Sequence, residues 1–161
     1  MGFRRGDIVV FPKYGVGKVV KSEERPVFGR KQRCLKIRFD APRRTVYVQE
    51  EEFQRSHIRP IMGRSVLNEV YRLLKAPGQY GHHKRPRLRL ERYRTKAEIA
   101  DPMSLAEVAR DLSRRSKRHR LNDTEKELQA SAVELLTEEI ATVEQREPDK
   151  IRTKLERLLT G

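Results

Sequence analysis

The hydrophobic period of this chain changes near Met62, and no other feature restricts its fold as much. Before that point, apolar residues alternate with polar ones at a period of two. After it, they recur every three to four residues. A period of two is the pattern of a strand with one buried face, whereas 3.6 is that of an amphipathic helix. One chain cannot satisfy both in a single layer, so two consecutive domains are expected, residues 1–62 and 63–161.

In the first domain, β-branched runs at Asp7–Phe11, Val16–Lys21, Lys31–Phe39 and Thr45–Gln49 are separated by Pro12, Gly15, Gly17, Gly29 and Ala41-Pro42. Leu35, Ile37 and Phe39 alternate with Cys34, Lys36 and Arg38, and a last short strand is expected around His57–Ile61. Five short strands in so small a domain predict an SH3-like or Tudor-like β-barrel. In the second, Ser65 is placed to cap a helix burying Val66 or Leu67, Val70, Tyr71 and Leu74, ended by Ala76-Pro77-Gly78. A helix opened by Pro86 would put Leu90, Tyr93, Ala97 and Ala100 on one face, with Leu88 pointing away among arginines. Asp101-Pro102, Asn122-Asp123-Thr124-Glu125 and Glu147-Pro148 open three more helices. The fold class is therefore α+β, a small barrel followed by an all-helical bundle.

Charge says where to look for a partner. Residues 1–62 carry 15 basic and 7 acidic side chains (+8), residues 63–120 carry 16 and 6 (+10), and residues 121–161 carry 6 and 10 (−4). The basic middle attracts polyanions, and the acidic end does not. Two clusters stand out: Lys84, Arg85, Arg87, Arg89, Arg92, Arg94 and Lys96 against one acid, Glu91; and Arg110, Arg114, Arg115, Lys117, Arg118 and Arg120. Complementing a helix C-terminus would use two or three of the second group, so phosphate binding is the preferred reading of both. The absence of a long apolar run, a signal-peptide core or a prenylation motif predicts a soluble intracellular protein with no membrane partner.

Other constellations have plainer explanations. Tyr14-Gly15-Val16-Gly17 precedes a strand and so lacks the helix of a phosphate loop. His82-His83 is an adjacent pair without further ligands, and a lone Cys34 supports neither a disulfide framework nor a cysteine-rich metal site. Glu50-Glu51-Glu52 reads as a solvated turn. With no nucleophile-and-base spacing, a non-enzymatic role without cofactor or metal is expected. Tyr47 differs, because strand alternation between Val46 and Val48 turns it outward near Arg44 and Thr45, as suits a protein interface.

Gly6-Asp7-Ile8-Val9-Val10-Phe11-Pro12 followed by Tyr14-Gly15-Val16-Gly17 resembles the opening of the CarD/CdnL family and of the polymerase-interacting module of transcription-repair coupling factors. Thr45-Val46-Tyr47-Val48, Ile58-Arg59, Leu67 to Leu74, Lys75-Ala76-Pro77, Arg92-Tyr93 and Ala106 to Leu112 also look like CarD, and the helical half favours that family over the repair factor. The resemblance implies a Tudor-like domain that binds the β subunit of bacterial RNA polymerase, with Arg25 and Tyr47 at the matching contact positions; Arg44, near Tyr47 in the strand, is a further candidate contact. It also implies a helical domain on promoter double-stranded DNA near the upstream edge of the −10 element, where a tryptophan wedges into the minor groove. The DNA-contacting candidates are Arg85, Arg87, Leu88, Arg89, Arg92, Arg94, Arg114, Lys117 and Arg118. This chain has no tryptophan. Counting back from Arg92-Tyr93 puts Arg89 at its position, with Leu88 and Leu90 beside it, after a loop roughly four residues longer than the family's. Leucine can enter a kinked step and arginine a narrow minor groove, so either can substitute; the other reading is a chain that binds polymerase and DNA but stabilises the bubble weakly. A monomeric, cytoplasmic, nucleoid-associated transcription regulator that modulates open-complex stability is expected. The alternative is a general nucleic-acid-binding protein without a polymerase contact.

Overall fold

The computed structural model describes residues 2–78 and 85–161. The chain forms two compact units, Met1–Ile61 and Met62–Gly161. The first is a five-stranded antiparallel sheet of β1 (Ile8–Phe11), β2 (Gly15–Val27), β3 (Arg30–Asp40), β4 (Arg43–Gln49) and β5 (Arg59–Pro60), in the order β4-β3-β2-β1-β5. Among the described residues β4 and β5 are edges, so hydrogen bonding does not close the expected barrel into a ring.

Val9, Phe11, Val19, Leu35, Ile37, Phe39 and Val48 line the buried face, closed by Phe53 and Ile58. Gly17 is required there, because a Cβ would come within 2.6 Å of the Phe39 ring. Glu50–Glu52 is a single 3-10 turn, in keeping with the solvated turn expected for those acids. The expected Val16–Lys21 strand runs six residues further, past a bulge between Val19 and Lys21, and pairs with β3 as far as Val27 and Arg30.

The second unit holds α1 (Arg64–Lys75), α2 (Pro86–Ile99), α3 (Pro102–Ser116), α4 (Asp123–Glu144) and α5 (Pro148–Thr160). The inner helix is α3, which contacts each of the other four. Ala106 and Ala109 leave room for close neighbours, while Leu105, Val108 and Leu112 fill the core with Ile140, Ile151 and Leu155. Each large aliphatic side chain so buried contributes about 1.5–3 kcal/mol.

The expected caps form at two helices. Asp101 accepts from the Ser104 amide at 2.9 Å, and Asn122 and Glu125 make a reciprocal capping box at 2.8 and 3.1 Å. At α1 the cap is Gly63 rather than Ser65, which lies inside the helix; Leu67 is buried and Val66 is not. The amide of Met62 donates to the fully buried Glu139 carboxylate at 2.9 Å, tying the chain's entry into this unit to α4.

Candidate functional site

Two surfaces carry the expected contact residues, one on each unit. On the sheet, the Arg25 guanidinium lies 3.9 Å from the centroid of the Tyr47 ring, and the Lys36 ammonium lies 5.8 Å from it. Arg25 is on β2, Lys36 on β3 and Tyr47 on β4. Lys36 is the cross-strand partner of both Lys21 and Tyr47, which puts all three on one face. Lys21 also pairs with Glu23 at 2.8 Å. Their hydrogen bond raises the lysine's pKa and lowers the glutamate's, so both stay charged at neutral pH.

Tyr47 is 42 % exposed. A cation stacked on a partly exposed tyrosine holds both groups in place at low entropic cost. Arg44 does not join them. It sits an odd number of residues from Tyr47, pairs in register with Phe39 and lies 5.2 Å from the Tyr14 ring on the other face. Two residues belong with this surface that sequence reasoning missed: Lys36, which only the β3–β4 register reveals, and Phe28, at the tip of the β2–β3 hairpin.

On the helical unit, Arg85 is the N-cap of α2 and Pro86 its first residue. Arg85, Arg87, Leu88, Arg92 and Arg94 are exposed and Arg89 is half-buried. The first turn of α2 holds no acid, so its arginines crowd the positive end of the helix dipole. That arrangement costs helix stability and favours an anion arriving from outside. Arg87 has only a loose, exposed contact with Glu91 at 3.7 Å.

Tyr93 is the buried side chain of α2, with its phenol pKa pushed up to about 12, first by burial and then by the nearby Asp111 carboxylate. Lys96 pairs with Glu107 of α3. Leu88 lies off this seam and is 47 % exposed.

The α3 arginines behave differently. Arg114 donates to the carbonyls of Leu74 at 3.1 Å and Leu158 at 3.2 Å, and to that of Leu159, so it caps the ends of both α1 and α5. Arg110 is buried against Asp111 at 2.9 Å, and Arg115 reaches the buried Glu125 at 3.2 Å. Lys117 donates to the Thr160 carbonyl at 2.6 Å. Arg118 and Arg120, at the end of this cluster, are exposed. Of the expected phosphate-binding residues Arg114, Lys117 and Arg118, the first two are engaged by helix C-termini and Arg118 is exposed.

Cys34 is buried, with its thiol directed at the Gln32 carbonyl 3.7 Å away. His82, His83 and Lys84 lie outside the described residues. Among those described, no group of three histidine, cysteine or acidic side chains comes together as a metal site, and no helix is long and apolar enough to cross a membrane.

A family model described as the CarD-like/TRCF RID domain matches residues 3–62, and one described as the CarD C-terminal domain matches residues 69–156. The chain belongs to the CarD family. The two matches fall on the two structural units in turn. A Bacillus subtilis (strain 168) protein named "Putative transcription factor YdeB" is 29 % identical over 144 residues, which cover 88 % of this chain and 92 % of that one. As a CarD family member the chain is a transcription regulator, and its CarD-like domains point to a partner in the transcription machinery.

Proposed function

We propose that the sheet unit docks on the β subunit of bacterial RNA polymerase through Arg25, Lys36 and Tyr47, while α2 grips promoter double-stranded DNA near the upstream edge of the −10 element. The observation that carries this reading is α2 itself. Arg85, Arg87 and Arg89 crowd its N-terminal end, where the helix dipole is positive and no acid offsets them, an arrangement that an external polyphosphate compensates. Docking raises the local concentration of α2 at the promoter, so modest DNA affinity suffices. Contacts that favour the melted junction over closed duplex then shift the equilibrium toward the open complex. Leu88 is the apolar group positioned to enter a kinked step, with Arg89 beside it.

An open-complex lifetime assay with the cognate polymerase tests this. Addition of the protein should change the lifetime, and the double variant Arg25→Glu/Tyr47→Ala should remove both that effect and co-purification with polymerase while the sheet stays folded. Retained co-purification would move the interface elsewhere.

A further inference from the structure

The β2–β3 hairpin reaches past the rest of its sheet. β1 pairs with β2 only over Gly15–Lys18, and β4 pairs with β3 only over Cys34–Asp40. The pairs Glu24–Arg33, Arg25–Gln32, Pro26–Lys31 and Val27–Arg30 therefore form a two-stranded arm, about 14 Å long at the usual rise per residue. Phe28 and Gly29 close it, with φ of 50° and 78°. Positive φ at both central residues is what the tight hairpin turn of type I′ demands, and asparagine, aspartate or glycine normally fill its first position. A phenylalanine there is conformationally unfavourable. Its ring is also fully exposed, so packing does not compensate. Neither local structure nor the core accounts for Phe28.

The neighbourhood indicates a partner. Alternation puts Val27, Arg25, Lys21 and, across the hairpin, Arg30 and Lys36 on the same face as Tyr47. The tip is thus continuous with the Arg25–Tyr47 surface, a set of aromatic and arginine side chains typical of the residues that dominate protein interfaces. Nucleic acid suits the arm less well, since Glu23 shares this face with Arg25 and Tyr47 and would meet a phosphate backbone. We infer that Phe28 is an anchor that inserts into an apolar, ring-sized pocket rimmed by carboxylates on the protein to which the sheet unit docks. This inference rests on the proposed polymerase docking and adds to it a residue that sets affinity.

Phe28→Asn in the full chain tests it, because asparagine tolerates the left-handed conformation and keeps the turn. With immobilised core polymerase, the dissociation rate should rise about ten- to thirty-fold, the loss typical of a truncated anchor. The thermal midpoint should stay level or rise. An unchanged dissociation rate, with the wild type bound, overturns the anchor and leaves the docking intact. Weakened binding to free duplex DNA with unchanged polymerase binding overturns it in favour of a nucleic-acid contact. If the wild-type chain does not bind polymerase at all, the docking reading fails and the anchor falls with it.

Discussion

The arginines of α2 and those at the end of α3 are alike in sequence and opposite in use. Both segments are strongly basic. In α3 the guanidinium groups turn inward, against Asp111, against Glu125 and onto the terminal carbonyls of two other helices. In α2, Arg85 and Arg87 are exposed at the helix end where their charge is least welcome. A basic cluster therefore reads as a ligand site only when the fold leaves its charge unspent. Arginines that satisfy buried acids or helix C-termini are structural, however dense the cluster.

The contrast breaks first on stability. Arg110→Ala strands the buried Asp111 carboxylate without its neighbouring guanidinium and should cost about 3 kcal/mol or more in chemical denaturation. Arg114→Ala removes donors from three helix-terminal carbonyls and should cost about 2–3 kcal/mol. Replacement of an exposed α2 arginine should stay within about 0.5 kcal/mol of wild type. Equal losses in the two helices would erase the distinction.

The buried side of α2 can be probed by pH. A phenol whose pKa is raised on folding contributes stability that is complete below the unfolded value near 10 and is lost as pH rises toward the folded value. For Tyr93 that window runs from about pH 10 to about 12, with up to roughly 2 kcal/mol at stake. Tyr93→Phe should shrink the alkaline loss of stability without abolishing it, because burial and the Glu144 hydrogen bond also raise the pKa of Tyr71. An identical alkaline profile in the variant would mean that α2 is not seated on its tyrosine.

On the outer side, Leu88→Ala should cost well under the 2–5 kcal/mol of a core leucine, yet shorten the open-complex lifetime. Leu88→Trp should lengthen it. A stability loss without a lifetime change would make Leu88 a packing residue.

Much of this was legible in the residues. The change of period near Met62 marks the boundary between units, and the Asp101 and Asn122 caps sit where their side chains predict. Tyr47 faces outward because strand parity requires it. What escaped depends on partners distant in sequence. Arg114 meets the carbonyl of Leu158 across 44 positions, which spacing cannot show. Arg44 is close to Tyr47 along the strand, but an odd separation puts it on the opposite face. The arm from Glu24 to Arg33 carries no alternating apolar pattern, since no other strand covers it, and so its strands looked shorter than they are. The Gly63 cap was hidden by a better capping residue, Ser65, two positions on.

The most direct test of the account is the salt dependence of duplex binding by the full chain. Each phosphate contact neutralised by an arginine steepens the logarithmic slope by about 0.9. Alanine at Arg87, Arg89, Arg92 and Arg94 together should flatten that slope by up to about four units, whereas Arg114→Ala, while folded, should leave it unchanged. An unaltered slope in the α2 variant, or a flattened one in Arg114→Ala, would contradict the assignment of DNA contact to α2.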